Sequence, residues 1–409
     1  MSVTAAEAKI DAAWEISWTK FFRAETNLFY DWLSSYEKGL EQEHLPRPHE
    51  VQQQYPNPCG WGTGMEDSMI SAGVMLSMIC DQWSITREAH LREAADKIFR
   101  GMCDCARVHG IKGFVARSIC LFDRKSIYHD SSRDQYTHYV HGLWCFYHSA
   151  LVTESQKREI RKLLEEICVF VEKCVTPEND YYLNRADGHR GLASKMWEVE
   201  PHEAGRLPMI YAAGWDITGD IRWKNLYRKY AWPAALQSLK IKTHYWSYAI
   251  LQMQCSLELL YQVENEDIDL KNNYRTAMMK AAEIAEFYGW QSARNIENID
   301  ITALGKDWRY QKMRKQQDYL CPEWDKDFLS AMICLRESFE APLIQMLCPK
   351  RAMSELQLML LEDAIQKVDP TRHAGYGLFY LQAAYWRGRK NDLWKDKKKQ
   401  EIITDQTGR

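Results

Sequence analysis

Apolar positions along the chain fall into two alternating helical patterns. Segments opening near Met65, Arg133, Glu203, His244, Asp325 and Arg372 are apolar almost all round, whereas those opening near Ala5, Arg87, Glu154, Asp220, Leu270 and Ser354 carry one apolar stripe. The Arg87 segment is typical of the second kind, with Leu91, Ala94, Ala95, Ile98 and Met102 along one face. A helix without a polar side is surrounded by other helices, and a striped one covers them and faces water. Six of each kind predict an all-α fold, an (α/α)6 toroid with an inner and an outer helix ring. Residues 1–390 are expected to form this one domain, followed by a basic tail, 391–409, around Lys395 to Lys399. Residues 28–40 also read as helical through Phe29, Trp32, Leu33 and Tyr36, and residues 44–64 and 291–322 read as loops. No strand-like alternation of any length competes.

In such a ring the inner helices run the same way, so their N-termini and preceding loops gather at one end. Glu66 and Asp67, then Arg133, Asp134 and Gln135, Glu203 and Arg206, His244 and Trp246, Glu323 and Asp325, and Arg372 and His373 occupy those starts. Ser132 followed by Gln135 reads as a capping box. Any one of these acids also reads as an ordinary partner of a helix dipole. Their convergence is what suggests a site, because a sugar needs paired donors and acceptors beside a flat apolar ring.

Cleaving a glycosidic bond requires one protonated carboxyl and a second group that activates water or attacks. Asp134, with a pKa raised by an enclosed helix mouth, is the expected acid/base, and Asp67 or Glu66 the second group. Arg133, with Arg206 or Arg372, is expected to hold a substrate carboxylate, and Trp61 and Trp246 to stack on the sugar. Gln135, Glu203, His244 and His373 complete the expected binding set. Trp61 stands in G-W-G-T-G, which lacks the Lys-Ser/Thr of a phosphate-binding loop.

Composition narrows the partners. The net charge is −3 with both signs mixed, which disfavours nucleic acid and anionic membrane. No apolar run of about 18 residues could cross a bilayer, and residues 1–22 do not resemble a signal peptide, so a cytoplasmic location is expected. The 12 cysteines show no zinc spacing and read as reduced core thiols. His138 and His141 read as core rather than as a metal pair, and neither a metal nor an organic cofactor is expected. The 16 Trp and 22 Tyr suit sugar C–H faces and large helical cores alike.

With G-W-G-T-G-M-E-D opening the first inner helix and H-D-S-S-R-D-Q-Y-T the second, the layout resembles the six-hairpin glycosidase superfamily over roughly residues 30–387. Within it the chain is most similar to uronate-acting glycoside hydrolases, namely the unsaturated glucuronyl and rhamnogalacturonyl hydrolases and the β-glucuronidases of glycoside hydrolase family 154. The resemblance implies removal of a glucuronate or unsaturated uronate from an anionic oligosaccharide or glycoside. In the unsaturated glucuronyl hydrolases, aspartates at successive helix mouths serve catalysis, and Asp67 and Asp134 resemble that pair. Those enzymes carry S-R-G-Q-A-W where this chain has S-R-D-Q-Y-T, at an earlier hairpin. Other readings of the residues are a sugar 2-epimerase or isomerase using His244 and His373, a polysaccharide lyase using Tyr136 or Tyr245 with His244, and a non-catalytic sugar-binding toroid.

Overall fold

The computed structural model describes residues 3–316 and 319–394; the basic run at Lys395 to Lys399 lies outside the described residues. The helices are α1 (Val3–Ile16), α2 (Pro48–Gln52), α3 (Ser68–Thr86), α4 (His90–Arg107), α5 (Arg133–Tyr147), α6 (Glu154–Cys174), α7 (Arg206–Thr218), α8 (Ile221–Ser238), α9 (Ser247–Val263), α10 (Ile268–Asn295), α11 (Lys326–Leu347), α12 (Glu355–Lys367) and α13 (Gly377–Lys390). From α3 onward the odd-numbered helices form the inner ring: each packs on the next, and α13 returns to α3. The outer ring is α1, α4, α6, α8, α10 and α12, each lying against the inner helices beside it. The (α/α)6 toroid expected from the apolar pattern is therefore the fold.

Packing follows the two patterns. Leu91, Ala94, Ala95, Ile98 and Met102 of α4 are all buried, and each large side chain removed from water in this way stabilises by about 1.5–3 kcal/mol. On the inner ring α3 and α5 meet at glycines. A Cβ on Gly73 would stand 2.1 Å from the His138 carbonyl oxygen, and one on Gly142 would stand 2.7 Å from the Gly73 Cα. Backbone contact this close brings the starts of the two helices together.

Three departures from the sequence reading shape the mouth. Residues 28–40 are not helical: β2 (Leu28–Phe29) pairs with β1 (Phe22–Arg23), and the chain then runs extended across the ring closure. There the Leu33 N–H bonds to the Ala374 carbonyl and the Asp31 N–H to that of Gly64, ladder-like contacts that a helix could not make. The last inner helix starts at Gly377 rather than near Arg372, because Pro370–Arg372 forms a separate 3-10 turn. Strands do occur, as short antiparallel hairpins: β3 (Tyr182–Asn184) with β4 (Arg190–Lys195), and β5 (Met313–Gln316) with β6 (Tyr319–Pro322). A parallel bridge joins Ala193 to Ser132, so the first hairpin reaches the start of α5.

Candidate active site

Ser132 caps α5 as expected, its Oγ accepting the Gln135 N–H at 3.3 Å. The returning half of the capping box does not form. Instead the Gln135 amide crosses to α3, donating to the Glu66 carbonyl at 3.0 Å and to Asp67 Oδ1 at 2.9 Å. One side chain thus ties two neighbouring helix mouths together. Asp67 and Asp134, on those mouths, keep 24% and 29% of their side chains open to solvent, while Gln135 is fully buried. Both carboxylates therefore reach solvent between buried neighbours.

Beneath the start of α3 lies a third acid. Asp31, almost fully buried, accepts the Glu66 N–H at 2.7 Å and the Asp67 N–H at 3.1 Å. Glu66 is also buried, with Oε1 accepting the Gly62 N–H at 3.0 Å. The nearest cation is Arg117, which donates to the Glu66 carbonyl at 3.1 Å and stands 3.7 Å from Asp67. Three carboxyls around one guanidinium cannot all ionise cheaply. Burial and then the neighbouring acids raise Asp31, burial and Asp67 push Glu66 up to about 8, and burial raises Asp67 against the pull of Arg117 and Arg336.

Asp134 has the opposite surroundings. Burial works against its charge, but Arg206, paired with it directly, and Arg133 hold its carboxyl below the usual range. Asp134 is therefore an ionised carboxylate and not the raised-pKa acid expected from the sequence; Asp67 has that property. Arg206 further donates to Gln252 Oε1 at 2.5 Å, and Arg133 pairs with buried Glu203. Both arginines are thus engaged by protein acids. His138, one turn below Asp134, is buried, and burial with His141 pushes it down to about 3, so its ring is neutral.

The opposite wall was not found from the sequence. Arg336, in the third turn of α11, donates to Glu340 at 2.8 Å and to the Tyr376 hydroxyl at 2.7 Å. Its guanidinium lies 4.8–5.5 Å from the ring centres of Tyr376, Tyr248 and Tyr380. Glu340 also accepts the Ser247 hydroxyl at 2.6 Å, which fixes the start of α9. Because α11 begins well ahead of this level, Arg336 lies beyond its first turn, outside the polar helix starts. The discoverable signal was an Arg–Glu pair four residues apart inside an otherwise apolar helix.

Of the remaining expected residues, Trp61 is at the site, half-buried, with Arg117 5.7 Å from its ring centre and Tyr319 tilted against it at 5.6 Å. Trp246 caps the start of α9 and is 57% exposed, a position on the rim. His244 is exposed on the loop before it. Arg372 is exposed on its 3-10 turn, where its charge acts on Tyr36, Asp300 and Asp369, so it does not clamp a substrate here. His373 is buried, and burial drives it down to about 4. Asp325 caps α11 and pairs with Lys306 at 2.5 Å. Tyr136 is fully buried, its hydroxyl held by the Gly113 carbonyl and the Val115 N–H.

His141 faces away from His138, bonding Glu258 at 2.8 Å. Among the described residues no cluster of His, Cys, Asp or Glu suits a metal ion, and all 12 cysteines are free thiols. No described helix is long and apolar enough to cross a membrane.

No family model and no curated protein matches the sequence. Among solved structures, a sugar epimerase from a ruminal bacterium is similar at a TM-score of 0.53 and 12% identity, covering 94% of this chain and 98% of its own. The cellobiose 2-epimerase of Spirochaeta thermophila aligns at 0.47 and 12%, covering 96% and 100%. The α-1,6-mannanase GH76A of Salegentibacter sp. aligns at 0.38 and 11%, covering 82% and 98%. The first of these likenesses supports the toroid as a fold.

Proposed function

We propose that this chain is a carbohydrate-active enzyme that cleaves a glycosidic bond by carboxyl acid/base catalysis. The observation carrying this reading is that Asp67 and Asp134, on adjacent helix mouths joined through Gln135, are driven in opposite directions, one toward its protonated and one toward its ionised form. Two acids split in this way are what glycoside hydrolysis uses. Asp67 donates its proton to the departing glycosidic oxygen, and Asp134 acts at the anomeric side as base or nucleophile. Glu66, sealed behind Asp67, has no opening to a substrate, and burial with the charge of Asp134 favours the protonated form of Asp67. Trp61 offers an apolar face for a sugar ring.

A uronic acid as the cleaved sugar has less support than a neutral one. Arg133, Arg206 and Arg336 are each bound to a protein carboxylate, so a substrate carboxylate drawn to them would have to displace an existing partner, and burying it would cost free energy. The pair expected for the epimerase reading, His244 and His373, does not face one sugar: His244 is exposed on a loop and His373 is sealed in the core. The lyase reading loses Tyr136 to its buried hydrogen bonds.

The test is a panel of neutral oligosaccharides and aryl glycosides set beside glucuronides, galacturonides and 4,5-unsaturated disaccharides, scored for new reducing ends. Hydrolysis of a neutral member faster than any uronide is expected. The rate should fall on the alkaline side as Asp67 loses its proton and hold on the acid side to below pH 3.8, where Asp134 stays ionised. Turnover of uronides alone would replace the neutral substrate, and a product isomerised without a new reducing end would remove the hydrolase reading.

A further inference from the structure

Outside the mouth, α10 carries Lys280, Glu283, Phe287 and Trp290 on one exposed stripe. Outer helices of such a ring turn polar residues outward, yet Phe287 and Trp290 are 55% and 45% exposed. Exposed aromatic rings grouped in this way mark contact surfaces. Ile241, Thr243, Lys280, Glu283, Ile284 and Phe287 wall a cleft of about 630 Å³, within the roughly 300–1,000 Å³ of ligand sites, and Trp290 stands beside Phe287 on the same stripe.

The cleft is fastened to the mouth. Tyr288, on the buried side of α10, donates its hydroxyl toward the Thr243 carbonyl at 3.4 Å and to that of Tyr245. Two residues further on, Ser247 bonds Glu340 beside Arg336. Trp246 stands exposed between the two places, so the cleft lies at the end of the ring where the inner helices start.

We infer that this cleft is a saccharide subsite holding distal sugar units of a polymeric substrate, an inference that rests on the proposed glycoside cleavage. The Phe287 and Trp290 ring centres lie 6.4 Å apart at 38°, a shallow curved platform for sugar C–H faces. The Arg294 guanidinium lies 4.8 Å from the Trp290 ring centre, and Lys280 and Glu283 border the cleft with opposite charges. A protein surface seated here would bury those charges, at a cost unless it pairs them. A neutral hydroxylated chain instead hydrogen-bonds to them and leaves them wet.

Native gels cast with α-1,6-mannan, mixed-linkage β-glucan or glucuronoxylan provide the test, using the full chain, the Asp67→Asn variant, and the double variant Phe287→Ala with Trp290→Ala. At least one polymer should retard the full chain and Asp67→Asn equally, and the double variant should lose most of that retardation. Its kcat/KM on the same polymer, relative to a short aryl glycoside, should fall roughly tenfold, as expected for losing two stacking rings. Retardation by no polymer, or retardation unchanged in the double variant, overturns the subsite, as does a dimer in sedimentation that the double variant dissociates. Retardation of both the full chain and Asp67→Asn with no bond cleaved in any substrate would instead count against the hydrolase reading and leave the subsite standing.

Discussion

The two ends of the inner ring hold similar groups and treat them in opposite ways. At the N-terminal mouth, Asp31, Glu66 and Asp67 share one close cation, Arg117, and their pKa values rise. At the C-terminal end a chain that runs from exposed Lys390 into the core alternates in sign: Lys390 to Asp81 at 2.7 Å, Asp81 to Arg387 at 2.6 Å, Arg387 to Glu258 at 2.6 Å, and Glu258 to His141 at 2.8 Å. There, although burial opposes its charge, Arg387 and His141 hold Glu258 down to about 2, and contacts with Cys145 and Glu258 carry His141 up to about 10 against the cost of its burial. Helix dipoles alone would favour ionised acids at the mouth. They do not decide the outcome, because a dipole contributes only about 0.3–1 kcal/mol, whereas an imperfectly paired buried charge costs several. The number of partners within reach sets protonation. The mouth keeps an unresolved excess of acid that chemistry can use, and the far end neutralises its charges and holds the ring closed.

Breaking each end in turn sharpens the contrast. The largest expected effect is on turnover: Asp67→Asn should lower kcat by about 10²–10⁴-fold while the melting temperature holds or rises, measured on whichever glycoside the panel identifies. Next in size, Glu258→Gln should leave kcat near its original value but cost about 3 kcal/mol of unfolding free energy, read from denaturant curves, because His141 and Arg387 lose their shared anion. The smallest effect has the opposite sign. Glu66→Gln should stabilise the protein by about 1 kcal/mol at pH 8, since it removes an acid that folding discourages from ionising.

The pH profiles separate the ends as well. Glu258, ordinarily at 4.5 and held at about 2, gives stability that is full above pH 4.5 and lost as pH falls toward 2. His141, ordinarily at 6.5 and held at about 10, gives stability that is full below pH 6.5 and lost as pH rises toward 10. Glu66 contributes while protonated, and that contribution drains as pH climbs from 4.5 through about 8. Acid sensitivity between pH 4.5 and 2 should therefore diminish in Glu258→Gln. Part of the alkaline sensitivity should diminish in Glu66→Gln. Stability curves in which the two variants exchanged these behaviours would overturn the comparison.

Much of the fold was legible because burial imposes a periodicity. The inner starts predicted near Asp325 and His244 lie within three residues of α11 and α9, since an all-round apolar run has nowhere to go but the centre of a ring. The site was legible only in part. Asp67, Glu66, Gln135 and Trp61 were found from their positions at helix mouths. Asp31 and Arg336 were not, one because it arrives on an extended segment that reads as helical, the other because its helix starts too early for it to fall in a first turn.

The sequence by itself determined the twelve helices of the two rings, their inner or outer place and the end at which polar starts gather, because these depend on which side chains must leave water. Tertiary structure alone decided which carboxyl holds a proton. That depends on how many cations stand within a few ångströms of each acid, and the neighbours of Asp67 and Asp134 come from segments far apart in the chain: Arg117, Arg206 and Arg336 are brought to them only when the ring closes.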